Sequence, residues 1–506
     1  MSNKMKKYFT ILCLLTLSLC LQAQPQFGER PRLVVGVVVD QMRWDYLSRY
    51  YEQFTDGGFR RLIDQGYSCN NCLINYVPTI TAIGHTSIYT GTTPAFHGIC
   101  GNSFVIDGQK VYCTTDSTVQ TVGSQSKRGM HSPHNMLSTT IGDQLRLHTD
   151  FRSKVVGVSY KDRAAILPAG HSANAAYWLD TKNLCFVSST YYMQELPAYA
   201  KEVNAAIAKN KEAQKAGERI GYSPLCGTLT TDMAIAALQG ENLGRGEATD
   251  MLCVSYSETD VIGHEWGTRG ERTDAAYLEL DKDLARLLTA LDQQVGQGNY
   301  LLFLSADHGA AHNWKFMNEH RLPGGPLYIE NLKKSIEECV KEKLGSTKPI
   351  LMDIMDYRVF IDHRSVGEQG LNLQQVKNVI VDYLRAYDGI VTVVDYESAR
   401  TTAIPQLLLD RILMGYHPRR SGDIVFISEP EHYSWWEKTV PTHTTHGEWN
   451  PYDAHIPLLF FGWKVSHGAT SREVHINDIA PTVCQMLHIQ QPNACSGEAI
   501  TEVTDK

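Results

Sequence analysis

The chain has 506 residues, of which 43% are hydrophobic and 20% charged, a balance that suits a folded protein with a large core and excludes a disordered or low-complexity one. Its formal charge is −8, which excludes general binding to nucleic acid, because a phosphate backbone needs clustered Lys and Arg. Any phosphate site has to be local.

The first residues read as an export signal. Lys4, Lys6 and Lys7 precede an apolar run from Ile11 to Leu21, and Leu21-Gln22-Ala23 ends on a small residue suited to cleavage. The reading is a signal peptide over 1–23 and a mature chain over 24–506, with a formal charge of −11 once three lysines and no acids are lost. The location is then periplasmic or secreted. A retained anchor would need about 20 apolar residues to span a bilayer, more than this run supplies. Lipid attachment at Cys20 is the other alternative, set against the bulk of Leu19 before it. No later stretch is long and apolar enough to span.

Further along, near-continuous apolar runs of strand length recur at Leu33 to Val39, Val155 to Ser159, Leu252 to Tyr256, Tyr300 to Ser305, Ile424 to Ser428 and Ile456 to Phe461. They alternate with helical patterns such as Ala275 to Leu291, which predicts an α/β fold whose mostly parallel sheet is covered on both faces. Ligands gather beyond the carboxyl ends of such strands, where Asp40, Lys161, Ser257 to Asp260 and Asp307 fall. The stretches near 103–150, 172–245 and 313–440 lack this rhythm and are expected to be cap-like insertions on one decorated domain.

Of twelve cysteines, Cys13 and Cys20 leave with the signal. In an oxidising compartment, closeness in sequence pairs Cys69 with Cys72, Cys100 with Cys113, Cys185 with Cys226 and Cys484 with Cys495, leaving Cys253 in a buried strand and Cys339 free. The CNNC of Cys69 to Cys72 has no second CxxC to complete a zinc ribbon and no thioredoxin-like context.

Six segments place metal-seeking or phosphate-seeking side chains beside these strand ends: VVVDQM at Asp40, PTITAIGH at Thr81, SYKDR at Lys161 and Arg163, TDVIGHEWG at Asp260 and His264, SADHG at Asp307 and His308, and TTHGEW at His446. Three carboxylates and three imidazoles are enough for two zinc ions, and the lack of cysteine suits a catalytic rather than a structural site. Each has a plainer alternative. Asp40 and Asp307 can cap helices or turns, Asp260 and His264 can pair at i,i+4, and Thr81 can simply start a helix running through Tyr89. Thr79 competes as the nucleophile, and His443 and His455 compete with His446. Lys161 and Arg163 are expected to alternate along an extended strand end, both facing the pocket with Asp162 turned away.

In this order, the six segments resemble the alkaline phosphatase superfamily, most closely its phosphate-irrepressible, PafA-type bacterial branch, over nearly all of the chain after the first few dozen residues. The resemblance implies an alkaline-phosphatase-like core with two zinc ions, one held by Asp260, His264 and His446 and the other by Asp40, Asp307 and His308. It favours the histidine before glycine, His446, and puts the nucleophile at the second threonine of the P-T/S-x-T motif, Thr81, bound to zinc. Relatives often carry proline at Ile83, a departure expected to matter little. Asn102 in GICGNSF, with Lys161 and Arg163, would hold the non-bridging phosphate oxygens, and cationic donors there favour a monoester dianion over a diester.

The implied activity is hydrolysis of small-molecule phosphate monoesters through a phosphothreonine, with an alkaline optimum, by a monomer. A nucleotide pyrophosphatase or phosphodiesterase would share the zinc ligands but lack the Lys161 and Arg163 pair. A sulfatase would need a C/S-x-P-x-R motif, which does not occur. A non-catalytic zinc-bearing binding protein is the remaining rival.

Overall fold

A computed structural model describes residues 30–435 and 440–504; the expected signal segment 1–23 and Cys20 lie outside them. The run Leu33–Val39 carries no polar side chain and is dominated by β-branched valine, which packs well on a pleated, doubly covered surface. It forms a central strand of a ten-stranded sheet. The order across the sheet is Gly468–Thr470, Tyr67–Cys69, Leu458–Gly462, Tyr300–Ser305, Leu33–Val39, Asp250–Tyr256, Val155–Ser159, Ala175–Asp180, Cys185–Ser189 and Thr121–Val122. The five strands from Tyr300–Ser305 to Ala175–Asp180 run parallel, while Leu458–Gly462 and Cys185–Ser189 close each side antiparallel.

Helices cover both faces, as the all-buried strands require. At Gly36 an added Cβ would come within 2.2 Å of the Tyr89 hydroxyl and 2.6 Å of the Phe303 ring. Only glycine lets the helix Thr81–Thr90 lie this close to the sheet. The helical pattern at Ala275 to Leu291 lies inside the longer helix Glu271–Gln294. Among the described residues, no helix is long and apolar enough to cross a membrane.

Two stretches differ from the sequence reading. The apolar run Ile424–Ser428 is a strand, but of a separate four-stranded antiparallel sheet with Leu351–Met355, Arg358–Ile361 and Ile390–Asp395, packed under the helices Ile329–Leu344 and Leu373–Arg385. A buried run reports burial, not which sheet buries it. The 172–245 stretch does not stand apart: Ala175–Asp180 and Cys185–Ser189 extend the main sheet, and the helix Leu225–Gly240 packs on Glu271–Gln294.

All ten described cysteines are free thiols, so none of the four expected disulfides is formed. For Cys185 and Cys226 the reason is spatial, since they belong to different apolar clusters. Cys253 lies buried in the strand Asp250–Tyr256, as expected.

One polar group carries much of the join between helices. Asp281, 1% exposed, accepts hydrogen bonds from Thr55 N (2.7 Å), Thr55 Oγ1 (2.6 Å) and Phe59 N (2.7 Å), which fixes the start of the helix Phe59–Gln65. Asp281→Ala strands these donors and is expected to cost about 3 kcal/mol, read from urea unfolding, with activity per folded molecule unchanged. A loss below about 0.5 kcal/mol, the range of ordinary surface changes, would refute this role.

Candidate active site

Ile80 is extended (φ −126°, ψ 145°) and Thr81 opens the helix Thr81–Thr90, which is buried along its whole length. A helix start leaves backbone N–H groups unbonded and favours an anion. One of these donors, Ala82 N, bonds to Asn102 Oδ1 (3.1 Å), so the side-chain amide of Asn102 keeps its N–H donors for another partner. The Thr81 hydroxyl lies 3.3 Å from His308 Nε2. Thr79, the competitor, is turned away: its hydroxyl donates to the Glu448 carbonyl (3.0 Å). Ile83 sits fully buried in an unbroken helix, so the missing proline leaves no kink.

The three imidazoles share one orientation. Nδ1 of His264 meets Thr444 O (2.8 Å), that of His308 meets Gly309 O (2.9 Å), and that of His446 meets Thr79 O (2.7 Å). A carbonyl can only accept, so each Nδ1 carries a proton and each Nε2 turns inward, as the outer contacts of metal-binding histidines do. His264 Nε2 lies 3.0 Å and His446 Nε2 3.7 Å from Asp260 Oδ1, and His308 Nε2 lies 3.5 Å from both Asp40 Oδ1 and Asp307 Oδ2. The competing histidines are committed elsewhere: His443 pairs with Glu265 (3.6 Å), and His455 bonds to Asn70 O and stacks on Trp44.

Among the described residues, two groups bring their ligand atoms within 4.8 Å of one another: Asp260, His264 and His446, and Asp40, Asp260 and His308. The first matches one expected ligand set. The second joins Asp260 to Asp40 and His308, and Asp307 stands beside it with Oδ2 3.5 Å from His308 Nε2 while its Oδ1 accepts from Gln41 N (3.1 Å) and His308 N (3.0 Å). Asp40 Oδ1 and Asp307 Oδ2 are buried without a hydrogen-bond partner. Such orphaned carboxylate oxygens are costly unless a cation meets them, and with inward nitrogen donors they fit a metal.

The electrostatics agree. Burial drives the Asp40 carboxyl well above the ordinary carboxylate range, with the Asp307 charge adding to the shift. Burial pushes Asp260 the same way, but His264 and Lys161 outweigh it and hold this acid well below that range. Burial, with the His308 and His264 rings alongside, keeps His446 neutral, the form that binds a metal.

Lys161 and Arg163 do not alternate along a strand. The strand ends at Ser159, Lys161 caps the helix Asp162–Ala169, and Arg163 lies in its first turn. Lys161 Nζ bonds to Asp40 Oδ2 (2.7 Å) and Asp260 Oδ2 (2.5 Å), leaving one of three ammonium donors. Asp162 is not simply turned away, since it accepts from Tyr112 and Thr114. Both cations line a cleft of about 880 Å³ with Asp260, His264, Tyr112 and Trp178.

Sequence reasoning gave no role to several residues. Gln41, at φ 66°, donates through Nε2 to Asp260 Oδ1 (2.6 Å) besides holding Asp307. His85 places Nδ1 2.9 Å from Thr81 O and 3.1 Å from Asp307 Oδ2, and Nε2 2.7 Å from Ser255 Oγ. Gly84 allows the helix to touch this strand end, since a Cβ would fall 2.2 Å from Asp307 O. A glycine inside a helical pattern was the available signal.

Nitrogen and oxygen donors without sulfur, at the carboxyl ends of parallel strands and open to a polar cleft, have the chemistry of a catalytic rather than a structural metal centre. Residues 34–449 match the family described as type I phosphodiesterase / nucleotide pyrophosphatase. The chain is 42% identical over 523 residues to alkaline phosphatase PafA of Elizabethkingia meningoseptica, spanning 94% of each. It is 41% identical to alkaline phosphatase PhoV of Synechococcus elongatus, over 95% of this chain and 94% of that one. Its structure is similar to the crystal structure of wild-type PafA, with a TM-score of 0.90 over 94% of this chain and 99% of that one at 42% identity. A PafA variant substituted at a threonine, an asparagine, a lysine and an arginine matches at 0.89 and 41% identity, with the same coverage. The chain therefore belongs to the alkaline phosphatase superfamily, in its PafA-type branch, and is an alkaline phosphatase, a phosphoric monoester hydrolase.

Proposed function

We propose that this alkaline phosphatase is exported, uses two zinc ions, and cleaves small-molecule phosphate monoesters as a monomer through a phosphothreonine on Thr81. The observation that carries the reading is the common orientation of His264, His308 and His446, each with Nε2 turned towards buried acids and one of them 3.3 Å from the Thr81 hydroxyl. Asp260, His264 and His446 would hold one ion, and Asp40, Asp307 and His308, with Thr81, the other. When bound, the ions would supply a lowered pKa for hydroxyl and water and neutralise charge on the attacking and leaving oxygens.

The chain's own residues do the rest. Thr81 Oγ1 forms a bond to phosphorus as the ester P–O bond breaks, and the leaving oxygen takes up a proton. Water then displaces Thr81 from phosphorus, which restores the hydroxyl and releases inorganic phosphate. The Asn102 amide, the third Lys161 donor and the Arg163 guanidinium bind the non-bridging oxygens, most strongly when charge peaks there. The four residue types substituted in the crystallised PafA variant support these roles. They occur here in the same order, with the same spacing from threonine to asparagine and from lysine to arginine.

Metal analysis tests the reading. The purified protein is expected to hold two zinc equivalents per chain, and a chelator is expected to remove them together with the activity. The melting temperature then falls, because Asp40, Asp260 and Asp307 lose compensation for buried charge. Fewer than two equivalents, or full activity after removal, would overturn it.

A further inference from the structure

The guanidinium of Arg163 is held by a phenol rather than by an acid. Its Nη1 donates to the Tyr112 hydroxyl (2.9 Å), and the single Tyr112 proton goes to Asp162 Oδ1 (2.7 Å), which Thr114 Oγ1 also reaches (2.9 Å). Asp162 therefore acts on Arg163 through Tyr112. Arg163 Nε, buried, has no hydrogen-bond partner. A guanidinium gripped by a carboxylate has its fork filled; one gripped by a neutral oxygen at one corner keeps donors and charge for an incoming anion.

Tyr112 is also placed by the segment that carries Asn102. The hairpin Ser103–Ile106 and Gln109–Tyr112 pairs Ser103 with Tyr112, and Cys113 N bonds to Asn102 O (3.0 Å). Asn102 in turn bonds to the first turn of the Thr81 helix. One hairpin base thus sets the spacing of the asparagine amide, the arginine fork and the nucleophile.

We propose that Tyr112 is a positioning residue that aims Arg163 at the third non-bridging phosphoryl oxygen, free in a monoester and esterified in a diester. The inference rests on the reading of Arg163 given above. Burial pushes the phenol pKa far above its ordinary value, so Tyr112 remains protonated at alkaline pH and can bridge acid and guanidinium throughout the working range.

The test is a double-mutant cycle on the zinc-loaded protein, with an aryl phosphate monoester and an aryl phosphate diester as probes. Tyr112→Phe keeps the ring and removes the bridge. It is expected to lower monoester kcat/KM by about ten- to a hundredfold, to leave diester kcat/KM within about twofold, and to have no further effect once Arg163→Ala is present. Inhibition by inorganic phosphate should weaken in parallel. Equal losses on both esters, or additive losses in the double variant, would mean that Tyr112 only supports the fold, and the proposal fails. If Arg163→Ala itself leaves monoester turnover unchanged, the role given to Arg163 fails first, and with it the ground for this one.

Discussion

Thr81→Ala is expected to leave the protein folded and metal-loaded but to lower monoester turnover by at least about a thousandfold, the scale on which a covalent nucleophile acts. Thr81 is 1% exposed and its hydroxyl faces His308 Nε2 rather than a helix N–H, so truncation removes no capping bond. The helix start is left as it is. Acid-quenched reaction mixtures should yield a phosphorylated Thr81 peptide by mass spectrometry from wild type and none from the variant, while Thr81→Ser retains a measurable fraction of both. Thr79→Ala is the informative control. The Thr79 hydroxyl holds Glu448 O, and only its backbone carbonyl holds His446, so this variant should lose some stability and keep the phosphopeptide. Phosphate found on Thr79 would reverse the assignment.

The second large effect concerns selectivity. Removing Lys161 and Arg163 together should lower monoester kcat/KM by about a thousandfold, because each charge-assisted contact contributes roughly 1.5–3 kcal/mol, while diester kcat/KM changes little. The ratio between the two esters is the quantity to measure. Arg163→Ala gives the cleaner single result, since Lys161 also bonds to Asp40 and Asp260. Losing that ammonium leaves two buried acids facing each other and should tighten divalent-cation binding. A ratio that stays constant in the double variant would mean that neither cation reaches the third phosphate oxygen.

Much of this site was legible because its chemistry sits where strand patterns end. Asp40, Asp260, Asp307 and His308 each follow a buried apolar run whose end sequence alone can place, and the parallel sheet then brings those ends together. Legibility stopped where a residue works through shape or through space. Gln41 matters because its backbone takes a positive φ, and Tyr112 because a hairpin folds it back onto Arg163. The helical placement of Lys161 and Arg163 was missed for a local reason. SYKDR reads as a strand continuing, yet Asp162 suits the first turn of a helix, where a carboxylate meets the positive end of the helix dipole. Among the cysteine pairings, that of Cys185 with Cys226 failed because closeness in sequence says nothing about which cluster each thiol packs into.

The second, antiparallel sheet packs behind the site, where Ser428 N and Oγ bond to Glu448 Oε1 (3.0 and 2.8 Å), two residues from His446. Arg420 bonds to the carbonyls of Gly98 and Asn135 (both 2.6 Å), and Lys110 on the Asn102 hairpin pairs with Asp353 (2.7 Å). None of the acids or imidazoles around Thr81 comes from its four strands. Change in this outer unit is therefore felt through the backbone segments that carry His446 and Asn102, while the acids and imidazoles themselves come from elsewhere. Exchanging residues 325–435 between relatives should move rate as well as substrate preference, since this span supports the His446 segment and places Trp435 on the cleft wall.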